Sequence, residues 1–147
     1  VGQFLTQLTL LVYADAGGRP ITRGGRSLWR GGSPELVYER GELGSRELLT
    51  FPRGCITDLG SIPRVAWSLE PPDGLGVEPY AIHDMLYGSA GSGMVNGRRC
   101  ITREKSYTRA EADEILKEAL QAVGVPAVHR YAIWAAVRIG GASGWGH

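Results

Sequence analysis

The hydrophobic period changes along this chain, and that change bounds what it can fold into. Up to about residue 57, short apolar runs with β character are cut repeatedly by glycine and proline. Beyond it, apolar residues recur at three- and four-residue intervals. Strands first and helices last describe an α+β domain, because a doubly wound sheet alternates the two. The length of 147 residues suits one domain. The expectation is a single domain over residues 1–147, with short N-terminal antiparallel strands followed by three C-terminal helices.

The strand candidates are residues 3–13, 27–29, 36–39, 46–51 and 55–57. In the first, Leu8, Leu10 and Val12 alternate with Thr9 and Leu11. The glycines and prolines from Gly17 to Pro34 supply turns between them. The first helix is expected over 78–87, with Pro79 in its first turn and Gly88 at its end. The second is expected over 109–122. Thr108 and Glu111 form a T-x-x-E capping box, and Ala112, Leu116, Ala119, Leu120 and Val123 give an apolar stripe before Gly124 closes it. The third runs over 126–139, where Tyr131, Trp134 and Val137 or Arg138 recur at helical spacing, and Tyr131, Trp134 and Trp145 read as core or domain-closing aromatics. The stretch 88–105 is long for a structureless connection, and reads either as a substrate edge or as a plain linker.

Sixteen basic residues oppose fifteen acidic ones, for a formal net charge of +1. That balance gives no electrostatic drive toward nucleic acid or an anionic membrane. Arg23, Arg26 and Arg30 lie among glycines and read as a solvated loop, with a phosphate groove as the sharper alternative. The two cysteines, Cys55 and Cys100, are not in a CxxC pattern, so they read as free thiols, with one disulfide between them as the alternative, and not as zinc ligands. No apolar run is long enough for a membrane-spanning helix. No signal-peptide pattern is visible after Val1, which leaves export open.

Three segments carry the chemistry. In TDLGSIPR, residues 57–64, Asp58 and Ser61 are short polar groups beside Gly60 and Pro63. They either satisfy loop amides or offer a carboxylate and a hydroxyl to a cleft. Ser61 lacks the GxSxG context of a hydrolase nucleophile. In HDMLY, residues 83–87, His83 and Tyr87 share a helical face, and Asp84 points about 100° away. In RAEAD, residues 109–113, Asp113 lies at the edge of the buried stripe. Either Arg109, four residues earlier, pairs with it, or Asp113 faces His83 and Asp84 while Arg109 orients a carboxylate or binds a substrate anion.

Two chemistries are open to this set. His83, Asp58, Asp84 and Asp113 offer mixed nitrogen and carboxylate ligation for one divalent ion, zinc or manganese, which would activate a water molecule. Without metal, His83 would act as a general base held by a carboxylate, with Asp58 and Asp84 as its catalytic partners. Ser61, Tyr87, Arg109 and Arg138 would support the site or bind substrate. The bland alternative is a buried polar network that specifies the fold.

In order, TDLGSIPR, Trp67, PPDG at 71–74, HDMLY, R-x-E-A-D and A-V-R-x-G at 136–140 resemble the phage-associated family of unknown function numbered 1353, over roughly residues 50–147. The resemblance points to Thr57, Asp58, Ser61, Pro63, His83, Asp84, Tyr87, Arg109, Glu111, Asp113 and Arg138. It implies a phage context, with the host cytoplasm or the virion as the place of action and cell-wall polymer or phage proteins as partners. The HD pair is also similar to that of metal phosphohydrolases. Those require an upstream histidine, and none precedes His83. The sequence thus supports two expectations: a small phage-type hydrolase, metal-dependent or not, acting on peptidoglycan; and a non-enzymatic virion structural, assembly or host-interaction protein.

Overall fold

The computed structural model describes residues 2–23, 26–57, 62–70 and 76–146. Ten short strands and four α-helices are present among them. In chain order the strands before the first helix are β1 (Gln3–Phe4), β2 (Leu10–Val12), β3 (Thr22–Arg23), β4 (Arg26–Ser27), β5 (Trp29–Gly31), β6 (Leu36–Arg40), β7 (Glu47–Phe51) and β8 (Ile56–Thr57). Then come α1 (Arg64–Trp67) and α2 (Val77–Gly88), the hairpin β9 (Met94–Val95) and β10 (Arg98–Arg99), α3 (Arg109–Ala122) and α4 (Ala127–Gly140).

The α+β class and the antiparallel N-terminal strands are as expected. The helix count and the strict segregation are not: there are four helices, and a hairpin stands between the second and the third. The extra helix is a single turn after Pro63, whose fixed φ suits the entry to a helix. The hairpin occupies the stretch expected as a connection. Asn96 and Gly97 both take positive φ, the conformation a tight two-residue turn requires. The long strand expected over 3–13 divides into β1 and β2 with an irregular segment between.

β1, β6 and β7 form one antiparallel sheet, with β6 in the centre. In β6, Leu36 and Tyr38 turn inward, and in β7 Leu49 and Phe51 do the same, in keeping with the two-residue strand period. Glu39 is also buried. Its carboxylate accepts bonds from Gln3, Gly44 N–H and Arg46 N–H, which ties β1 to the β6–β7 turn. A second sheet, β2-β5-β8, brings Thr57 to the border of α2.

α2 lies between the sheet edge and α3, and α4 packs on the far side of α3. Eight of the twelve residues of α2 are buried, His83 among them. A helix apolar nearly all round belongs in the middle of a core. α3 is amphipathic, and its capping box is present as read: Thr108 Oγ1 accepts from Glu111 N–H, and the Glu111 side chain accepts from Thr108 N–H. α4 buries only Ile133 and Val137. Of the aromatics expected as core or domain-closing, Tyr131 is exposed and Trp134 half-buried. Lys117 lies over both rings.

After α2 the chain folds back tightly at Gly91. Its φ is +80°, and a Cβ there would stand 1.8 Å from the Tyr107 carbonyl oxygen. Tyr107 N–H donates to Gly91 O at 2.8 Å, so the two backbones are fixed against each other. Gly91→Ala is expected to cost at least about 2 kcal/mol, from left-handed strain plus the clash. Urea unfolding with an unchanged m-value checks this; a loss below half that figure would contradict the close approach.

Candidate polar centre

Asp113 is the hub of a charged cluster that joins α2, α3 and α4. On one carboxylate oxygen, Oδ1, it accepts from His83 Nε2 at 2.8 Å and from Tyr87 Oη at 2.6 Å. On the other, Oδ2, it accepts from Arg138 Nη1 at 2.8 Å. An ionised carboxylate only accepts, so Nε2 is the protonated nitrogen of His83 in this contact. Tyr87 in turn accepts from Arg109 Nε at 3.1 Å. The order of donation is thus Arg109 to Tyr87 to Asp113, with His83 and Arg138 donating to the same carboxylate.

Local sequence explains half of this geometry. His83 and Tyr87 are one helical turn apart, and their ring centroids lie 4.2 Å apart. Tyr87 also receives Trp145 edge-on at 5.1 Å, so the C-terminal tail covers this end of the cluster. Gly146 N–H donates to Tyr87 O and holds that tail in place. The other half is tertiary. Of the two readings of Asp113, the one that faces it toward His83 is what forms, and Arg109 does not pair with it: its Nη2 donates to the carbonyls of Val137 and Arg138 at 2.9 and 2.8 Å. Those carbonyls belong to the last turn of α4, where the macrodipole is negative, and Val137 O also accepts from Gly141 N–H. The ion pair on Asp113 comes from Arg138, which no helical periodicity relates to it.

His83 and Asp113 are each 0% exposed, and Tyr87 is buried. Burial pushes the Asp113 carboxyl upward. The bonds from His83, Tyr87 and Arg138 more than offset that, and hold it below the ordinary carboxylate range. Tyr87 is pushed up, first by burial and then by its bond to Asp113.

Asp84 does not join this cluster. It is half-buried on another face of α2, and Thr57 Oγ1 donates to its Oδ2. Asp58 and Ser61 lie outside the described residues. Of the four expected metal ligands, the structure brings His83 and Asp113 into contact and turns Asp84 toward Thr57. Among the described residues no three His, Cys, Asp or Glu side chains are grouped to hold a metal ion. Cys55 and Cys100 are buried free thiols, and burial, with Asp84 and Cys100 nearby, pushes Cys55 up to about 12. An open groove of about 370 Å³ is lined by residues 3–7, Glu78, Ala122 and Val123, and none of the expected site residues lines it.

The family model for proteins of unknown function, DUF1353, matches residues 34–137. The chain belongs to this phage-associated family. The match takes in HDMLY and RAEAD, and so His83, Tyr87, Arg109 and Asp113, and ends one residue before Arg138. It reaches further toward the N-terminus than the motifs did. No curated protein and no solved structure matches the chain. No helix among the described residues is long and apolar enough to cross a membrane.

Two predictions follow from the charges. Asp113→Asn keeps the shape but removes the charge facing Arg138 and His83; breaking a buried pair this way is expected to cost about 3–5 kcal/mol. Chemical denaturation measures it, and a loss under about 1 kcal/mol, the scale of a surface pair, would remove Asp113 from its central place. The second concerns acid. Glu111 is held at about 2, against an ordinary 4.5, chiefly by Arg103 and then by Thr108 N–H, and Asp113 is lowered too. A depressed folded pKa contributes stability that is present above the unfolded value and lost as pH falls through the folded one. The urea midpoint should therefore hold near neutral pH and fall between pH 4.5 and about 2. Glu111→Gln should flatten part of that fall, and an unaltered slope would contradict the assignment.

Proposed function

We propose that this chain is a non-enzymatic phage-associated module, an assembly or interaction protein whose polar centre fixes the fold. The observation that carries this reading is the complete burial of His83 and Asp113, with both Asp113 oxygens engaged. A general base must come within hydrogen-bond reach of the substrate proton it removes. His83 is sealed under Tyr87, and its Nε2 is committed to Asp113. Family membership supplies the phage context. The exposed apolar side of α4 offers a contact surface, with Val128, Tyr131 and Ile139 on it. The partners are then other phage proteins.

The hydrolase reading keeps one specific support. Asp84 is only half-buried, and Thr57, its partner, opens the TDLGSIPR segment. In that reading Asp84 acts on peptidoglycan, either as an acid–base group with Asp58 as its catalytic partner or with zinc or manganese. His83 then holds α2 in place from behind.

The test combines turnover with metal content. Purified chain is incubated with dye-labelled cell walls, and elemental mass spectrometry is run after dialysis against zinc and manganese and removal of the excess. The module reading expects no release of dye and no stoichiometric metal. Hydrolysis abolished in folded Asp84→Asn, or one equivalent of metal lost in folded His83→Ala, would overturn it in favour of the enzyme.

A further inference from the structure

The sheet β1-β6-β7 closes one of its edges and leaves the other open. Beyond β7, residues 100–102 complete the pairing: Thr50 N–H donates to Cys100 O, Thr102 N–H to Leu48 O, and Leu49 bridges to Ile101. β1 is the outer strand on the other side. Leu5 N–H donates to Val37 O, so the alternate residue, Phe4, turns its own N–H and C=O away from β6. Natural edge strands are guarded by charge, proline or a bulge. From Gly2 to Ala14 this chain has no charged residue and no proline, and Leu5 is 46% exposed.

The groove beside this edge has a sign. It is lined by residues 3–7, Glu78, Ala122 and Val123, and by no residue of β6, so it lies on the open side of β1. Glu78 is half-buried. Its carboxylate accepts from Leu8 N–H, burial pushes its pKa up, and no cation among the described residues offsets that. Other glutamates differ: Glu35 meets Arg98, Glu111 meets Arg103 and Glu118 meets Arg40. Ala122 and Val123 end α3, whose last turn has no basic residue. The capping N–H groups there go to the carbonyls of Ala119, Leu120 and Gln121, which leaves those of Ala122 and Val123 without a backbone donor among the described residues. A helix C-terminus is the negative end of its dipole. Carboxylate, carbonyls and dipole therefore all favour a cation.

We propose that this groove takes an extended segment of another protein, which adds as a strand to β1 and sets a lysine or arginine against Glu78 and the end of α3. Main-chain bonds to Phe4 hold the segment, and the cation selects it. A second copy of this chain does not fit: its own edge brings no cation from Gly2 to Ala14, and pairing would leave Glu78 unmatched in both copies. A phosphate polymer or an anionic membrane would meet the carboxylate and the negative helix end with like charge. None of His83, Asp84 and Asp113 lines the groove, so the docking edge goes beyond the module reading and is tested apart from it.

The test uses end-capped seven-residue peptides, with valine, threonine and serine mixed around a central lysine, arginine, norleucine or glutamate, offered together to the immobilised chain. Cationic peptides should be retained over the norleucine and glutamate ones by about tenfold, the scale of one charge-assisted hydrogen bond. In Glu78→Gln, which keeps an acceptor for Leu8 N–H, that preference should vanish. Leu5→Lys, a charge placed on the exposed edge, should lower retention of every cationic peptide. With the best-retained lysine peptide in solution, the Phe4 amide proton should become protected from exchange, and that of Leu5, already bonded, should not change. Equal retention of lysine and glutamate peptides, a preference that survives Glu78→Gln, or binding that leaves the Phe4 amide unprotected would overturn the proposal. Phe4 protection that rises with protein concentration alone would also overturn it, in favour of a second copy. Cell-wall turnover abolished in Asp84→Asn, with the peptide preference intact, would remove the module reading and keep the docking edge.

Discussion

A single ionised carboxylate, sealed from water, organises the helical half of this protein. Asp113 would be costly to bury alone; each of its oxygens is met by a donor from another helix, His83 and Tyr87 from α2 and Arg138 from α4. Oδ1 is held by two donors of α2 and Oδ2 by one of α4, so the three helices are held in one relative placement. Arg109 closes the arrangement, reaching from the first residue of α3 to Tyr87 and to the last turn of α4. Hydrophobic packing alone tolerates more than one helix register; donors that must meet both oxygens of one carboxylate tolerate far fewer.

This constraint explains why α2 can be so deeply buried while carrying a histidine. His83 sits where a core aliphatic would otherwise stand, and its Nε2 proton is spoken for by Asp113. The adjacent Asp84 projects to another face and meets Thr57 at the end of β8. The HD pair thus divides its work: one residue locks helix to helix, the other joins helix to sheet.

Much of this was legible in the sequence because it is local. The capping box at Thr108 and Glu111, the His83–Tyr87 face and the alternating strands β6 and β7 follow from spacing alone. The residues of the cluster were also named, since polar groups on otherwise apolar helical faces stand out. What could not be read was who meets whom. Arg109 and Asp113 sit one turn apart on the same helix, yet the α4 carbonyls draw Arg109 away, and Arg138 arrives from another helix. The single-turn helix α1 is too short for a hydrophobic period to show. The β9–β10 hairpin carried a signal, Asn96–Gly97, among enough glycine and serine to pass for a loop. Tyr131 shares the helical spacing of Trp134 but falls outside the arc that Ile133 and Val137 bury.

The central claim is that His83 is held as a sealed donor to Asp113, and the imidazole N–H reports on it directly. In a nitrogen-edited NMR spectrum at neutral pH, the account predicts a visible, downfield Nε2–H signal that exchanges with water as slowly as core amides and does not move when soluble cell-wall fragments are added. An Nε2–H lost to fast exchange, or one that shifts with those fragments, would mean that His83 is open to solvent and substrate, and would contradict the account.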